Sequence, residues 1–219
     1  MKKLTLITAS IIAFSTAASA SALESGAFYI KPVVSYDIGD LKASATGTTP
    51  GGSSGSITVT ESGTLKNAKG FRGGVGFGYN VTEDIRTDVT FTAGNIKKKD
   101  NKLDNYSLLL AGYYNFMSGS SVSPYISLGV GLGRSRAKNT SGDATENFKT
   151  KNTTNAIYRA AVGLDFAMTK SIILDLNYGI GNIGSTKTKS KAVIGDLTGK
   201  ATVKANLVQS IEAAVRFGF

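Results

Sequence analysis

The side chains of this chain that could do chemistry are mostly charged, because it contains no histidine and no cysteine. Imidazole general-base catalysis and a Ser–His relay are therefore unavailable, and so is a His/Cys metal site. What remains is 25 lysines and arginines against 15 carboxylates, a formal charge of +10. The basic residues fall into two sets with different surroundings. One set lies in polar segments without hydrophobic periodicity: Lys97, Lys98, Lys99 and Lys102, then Arg136, Lys138, Lys149 and Lys151, then Lys187, Lys189, Lys191 and Lys200. Segments 95–104, 134–155 and 183–204 carry +2, +3 and +4, whereas 37–69 balances at zero. Such clusters suit electrostatic capture of a polyanion or of a protein surface, or they are solvated loops that touch an anionic surface. The second set alternates with apolar residues: Lys31, Arg72, Arg86, Arg159 and Arg216, with Asp88, Asp165, Asp175 and Glu212 of opposite sign.

Other motifs carry less. Residues 179–184 spell GxGxxG, but STKTKSKAVIGDLTGK after it has no helical period, so a dinucleotide site is rejected and the glycines belong to a strand end. Asp37, Asp40 and Glu61 are too scattered to argue for a calcium site, and the sequons at Asn139 and Asn152 are read as chance matches. No cofactor, no metal and no nucleic acid is expected.

The elements that position these charges are strands. Leu207, Gln209, Ile211, Ala213, Val215, Phe217 and Phe219 share one face, and Val208, Ser210, Glu212, Ala214, Arg216 and Gly218 the other, a period of two. The same alternation recurs from Phe28 to Tyr36, with Pro32 awkward within it because it gives no ladder donor. It recurs again from Phe71 to Tyr79, Ile85 to Ala93, Tyr106 to Phe116, Pro124 to Leu132, Ala156 to Phe166 and Ile172 to Ile180. Residues 37–69 lose the period, and GTTPGGSSGS within them has the composition of a flexible loop. The count is eight strands, with connections alternating long and short. That predicts an all-β fold, an eight-stranded antiparallel up-and-down transmembrane β-barrel with four long outer loops and a lumen filled by side chains. A soluble β-sandwich or lipocalin-like barrel would put Lys, Glu and Thr on its polar face. Here that face is rich in glycine and carries nearly balanced charges, so those charges are expected to meet inside, as a structural plug or as a polar conduction path. One pair expected to meet is Lys31 with Glu212, across the closing seam.

At the N-terminus, a basic Met1-Lys2-Lys3, an apolar run from Leu4 to Ala13 and Ala18-Ser19-Ala20 read as a signal peptide. Residues 1–20 would be removed, or 1–22 if the second small-residue site is used, leaving a barrel domain over 21–219.

The stretches GFRGGVGFGYNVTEDIRTDVTF (70–91), PYISLGVGLG (124–133), AAVGLDFAMTKSIILDLNY (160–178) and the terminal VRFGF resemble the OmpA-like or opacity-type surface-antigen superfamily, closest to small adhesins of obligately intracellular Gram-negative bacteria. The resemblance implies an outer-membrane surface protein with extracellular loops, periplasmic termini and a final strand read by the barrel-insertion machinery. It implies an adhesin or surface antigen that binds host ligands through its basic loops. A structural envelope barrel and a small pore are the alternatives. Outer-membrane proteases and phospholipases share this architecture, but those families generally use a histidine, so no enzyme is expected. Since the sequence stops at Phe219, no peptidoglycan-binding domain is expected after it.

Overall fold

The computed structural model describes residues 24–50, 56–98, 101–139, 153–182, 184–187, 192–194 and 197–219. The expected signal peptide, 1–20 or 1–22, lies outside them. The elements are β1 (Phe28–Pro50), β2 (Ser56–Asn80), β3 (Ile85–Lys98), β4 (Asn101–Asn115), β5 (Val122–Asn139), β6 (Thr153–Ala167), β7 (Ile172–Gly181), β8 (Ser185–Lys187), β9 (Ala192–Ile194) and β10 (Leu197–Gly218). Strands β1 to β7 pair each with the next, β7 pairs with β10, and β10 pairs back onto β1, all antiparallel. These eight strands close the barrel. The short β8 and β9 each pair with β10 above the level where β7 ends.

Alternation sets which side chain goes where, and the barrel is inside-out relative to a soluble protein. Phe71, Phe77, Leu108, Leu128, Val130, Val162 and Ile211 are exposed, whereas Lys31, Arg86, Asp88, Asp165, Asp175 and Arg216 are buried. A sheet with a wet outer surface would reverse this, so the outer face is built for hydrocarbon.

One end of the barrel carries short turns, at 81–84, 116–121 and 168–171, and the start of β1 and the end of β10 lie at it. There Phe219 N–H donates to the Phe28 carbonyl and Gly218 N–H to that of Ser171. At the opposite, loop end the strands run further than the alternation predicts. Residues 37–50 and 56–69 are strand, not irregular loop: β1 and β2 continue as a paired ladder from Asp37↔Gly70 to Pro50↔Ser56. The 95–104 connection shrinks to residues 99–100, because β3 reaches Lys98 and β4 begins at Asn101. The 134–155 segment likewise supplies the end of β5 and the start of β6, and 183–204 supplies β8, β9 and the start of β10. The physical reason is common to all four. Hydrophobic alternation is imposed only where one face meets lipid, whereas backbone pairing needs no such contrast and continues into water. β1 has 23 residues, about twice the roughly 9–11 that a tilted strand needs to cross a bilayer.

At the rim, Gly39 faces Ala68 but Leu41 faces Leu65, so Asp40 opposes two residues on β2. Asn67 takes the left-handed conformation (φ 57°) at this bulge, and its N–H donates to the Asp40 carboxylate at 3.0 Å. Such a bulge re-aims the strand pair as it leaves the barrel. Pro32 is accommodated at the closing seam: it pairs with Val75 on β2, but the ladder to β10 is interrupted at Lys31 and Pro32.

Glycines on the inner face make room for rings laid across the lumen. A Cβ on Gly78 would stand 2.1 Å from Tyr29 Cζ. The Tyr29 ring is fully buried and has nowhere to retreat. Gly78→Ala is expected to destabilise the barrel by about 1–3 kcal/mol, read as a lower urea midpoint with the chain refolded in micelles.

Candidate functional site

Two regions concentrate the charged side chains: the lumen and the loop end. In the lumen, the layer nearest the short turns centres on Arg86 of β3. Its guanidinium meets Asp165 at 2.8 Å and Asp175 at 3.4 Å, and donates to Asn115 Oδ1 at 2.7 Å. It also lies over the rings of Tyr113 (4.1 Å) and Tyr125 (4.5 Å), which meet each other edge to face. Arg216 of β10 pairs with the same Asp165 and lies over the Tyr29 ring. The Tyr125 hydroxyl donates to Asp175 at 2.5 Å.

Next comes Lys31 of β1, whose ammonium donates to Asp88 at 2.6 Å and to the Tyr113 hydroxyl at 2.9 Å. Asp88 also accepts from Tyr29 and Thr90. Further toward the loop end, Arg159 meets Glu212 at 3.4 Å and Asn177 at 2.6 Å. Arg72 holds Asp37 with two nitrogens at 2.5 and 2.9 Å. Buried charges at this depth persist only when paired and hydrogen-bonded.

Every residue of the second charged set named from the sequence faces this interior, but two details differ. Lys31 meets Asp88, not Glu212. Phe28 and Phe219 are level, and the register then sets Glu212 beside Ser35 while Lys31 lies nearer the short turns, between Ile30↔Phe217 and Val33↔Ala214. The second difference is Asp37, which the sequence placed in a loop and the structure buries completely. Its odd parity with Tyr29, Lys31, Val33 and Ser35 was the available signal. With Asp37 included, the lumen set holds five cations (Lys31, Arg72, Arg86, Arg159, Arg216) and five carboxylates (Asp37, Asp88, Asp165, Asp175, Glu212).

The space left is small. A cavity of about 20 Å³ lies against Arg86, Asn115, Asp165 and Arg216, and one of about 40 Å³ against Lys31, Arg72, Arg159 and Glu212. Each has room for a water or a few. The cluster of Arg86, Tyr113 and Tyr125 and the Lys31–Asp88 pair lie between them.

The first charged set gathers at the other end. Lys97 is exposed near the tip of β3, and Lys102 is half-buried and paired with Asp104 at 3.0 Å. Arg136 is half-buried on β5, opposite Asp104. The backbones of Lys98, Lys138, Lys187 and Lys200 run in β3, β5, β8 and β10, while their side chains lie outside the described residues. Lys99, Lys149, Lys151, Lys189 and Lys191 lie outside them altogether, as do Asn152 and the side chain of Asn139. Among the described residues, no group of His, Cys, Asp and Glu is arranged to hold a metal ion.

The sequence matches the outer membrane protein beta-barrel domain over residues 6–209. The chain belongs to that family. As a member of it, the protein resides in the outer membrane, and the exposed apolar girdle is its lipid-facing surface. Among curated relatives, a candidate adhesin of Rickettsia conorii is 30% identical over 152 residues, covering 60% of this chain and 61% of that protein. The outer membrane protein PagN of Salmonella typhimurium is 26% identical over 133 residues, covering 59% of this chain and 50% of that one. The matched part thus spans between half and two-thirds of these relatives' lengths. Among solved barrels, the outer membrane protein OprG from Pseudomonas aeruginosa superposes with a TM-score of 0.61 at 15% identity, covering 90% of this chain and 98% of that one. Neisserial surface protein A gives 0.56 at 21% identity, covering 88% and 97%. The family and these relatives are named for barrels, surface proteins and adhesins, not for enzymes.

Proposed function

We propose that this barrel is an adhesin that captures host-surface ligands through its basic loop end. The single observation that carries the reading is the partition of charge. The lumen set is balanced, five against five, so the +2, +3 and +4 of segments 95–104, 134–155 and 183–204 remain as a surplus at the loop end. A surplus displayed on one end serves recognition of anionic partners, since it is not needed to hold the fold. The names of the rickettsial relatives support the same reading.

On this proposal the loop end is extracellular, the short turns and both termini face the periplasm, residues 1–20 or 1–22 are removed on export, and 21–219 form the barrel. The ligand is a host protein or polyanion. The same lysines meet lipopolysaccharide at the membrane surface, and the final strand serves the insertion machinery. The protein has no catalytic role. A structural envelope barrel without a specific ligand is the alternative that the following experiment separates.

The barrel is displayed on a non-adherent bacterium and attached cells are counted. Exchanging Lys97, Lys98, Lys99, Lys187, Lys189 and Lys191 for neutral residues is expected to cut attachment about tenfold at low salt. The difference should shrink as salt rises, because exposed charges are screened beyond about 8 Å at physiological ionic strength. Equal attachment of parent and variant at every salt concentration would sink the electrostatic reading.

A further inference from the structure

Outside the barrel wall the two flanks of the upper sheet are treated differently. β10 beyond Val208 has lost β7, but its free side is covered again by β8 at Thr202–Lys204 and by β9 at Leu197–Gly199. Among the described residues β2 has no such cover. Its ladder to β3 starts at Lys69↔Lys97, whereas its ladder to β1 runs on to Pro50↔Ser56. Among the described residues, the stretch from Ser56 to Leu65 therefore pairs on one side only. At about 3.3 Å per residue this is an open edge of roughly 30 Å.

Natural edges are normally blunted by lysine, proline or shortness. Here Ser56–Thr60 reads SITVT, uncharged and dominated by β-branched residues, and Glu61 adds a single acid. At the base of the edge Lys69 and Lys97 stand directly opposite each other, both exposed.

The geometry points to Ser56–Leu65 as a strand-addition site for an extended segment of a foreign protein, antiparallel to β2 and acidic at its N-terminal end. The incoming strand continues the position that β3 vacates, so it runs antiparallel to β2 and sets its N-terminus beside Lys69 and Lys97. Backbone pairing supplies the affinity and the two lysines set the direction and the end chemistry. A second copy fits less well. Copies in one membrane stand the same way up, so their edges would meet base to base and bring four lysines together. The inference goes beyond the electrostatic reading above and does not depend on it: attachment counts test that reading, and amide exchange tests this one.

The probe is a ten-residue peptide, two aspartates followed by alternating threonine and valine, added to the refolded full chain in micelles. With the peptide at about ten times its Kd, exchange of the amides in 56–65 should slow about tenfold. The same peptide with every residue N-methylated, or with two lysines in place of its aspartates, should give no slowing. Absence of slowing, or equal slowing by the N-methylated or lysine-substituted peptide, overturns the inference. So does protection that rises with protein concentration alone, which would assign the edge to a second copy. Val59→Pro and Thr60→Pro each remove one amide donor, and neighbouring donors on a strand point to opposite sides. The variant that keeps the β1–β2 protection should lose the peptide response, and persistence of the response in both variants also overturns the inference.

Discussion

Arg86→Met is expected to be among the most damaging single substitutions in the barrel wall, costing about 3–5 kcal/mol. The arginine is buried and serves two carboxylates, Asp165 at 2.8 Å and Asp175 at 3.4 Å. Asp165 retains Arg216, but Asp175 keeps only the Tyr125 hydroxyl and the Asn177 amide. Removing the guanidinium leaves a buried carboxylate without its cation and two tyrosine rings, Tyr113 and Tyr125, without the cation they face. The measurement is a urea titration of refolded protein, followed by the mobility difference between folded and heat-unfolded barrel on a gel. A midpoint equal to that of the parent would show that the layer is not what holds the lumen.

The second large effect concerns Lys31 and Asp88, and its informative part is a double-mutant cycle. Asp88→Leu strands an ammonium that is 2% exposed, and Lys31→Met strands a carboxylate that is equally enclosed. Each single change is expected to cost about 3–5 kcal/mol, whereas the pair replaced together by apolar residues approaches neutrality. The expected coupling is therefore large, and it is read from the same urea titrations on four proteins. Additive costs would mean that Lys31 is neutralised by more distant carboxylates rather than by Asp88.

The sequence revealed the barrel because hydrocarbon enforces alternation. Phe71, Phe77, Leu128 and Ile211 had to point outward, and Arg86, Asp165 and Arg216 then had to point inward. The strand ends were not readable. Beyond the lipid the outward face of Asp37–Pro50 and Ser56–Lys69 need not be apolar, so no period marks them, and the pairing of β1 with β2 is visible only in three dimensions. The same blindness hid Asp37 and made 95–104 look like a loop. Facing direction was legible; partners were not. Lys31 was matched to Glu212 because adjacent strands suggest adjacent charges, but partners in a narrow lumen are chosen across it. Lys31 on β1 reaches Asp88 on β3, and Arg86 on β3 reaches Asp165 on β6.

That choice of partners bears on how the protein can be put together. Apart from Arg72 with Asp37 on the neighbouring strand, the lumen pairs join strands that are not hydrogen-bonded to each other: β1 to β3, β3 to β6 and β7, and β6 to β10. An unrolled sheet cannot form the two Arg86 pairs, which join β3 to β6 and β7, however complete its ladders. Each such charge would face lipid alone until curvature brings its mate across, and that state is prohibitively costly. Neutralisation is therefore withheld until the ring shuts, so partly rolled sheets have no stable resting point in the bilayer. Insertion of this chain should be all-or-none, with β10 docking on β1 and the disappearance of net charge from the lumen as one event.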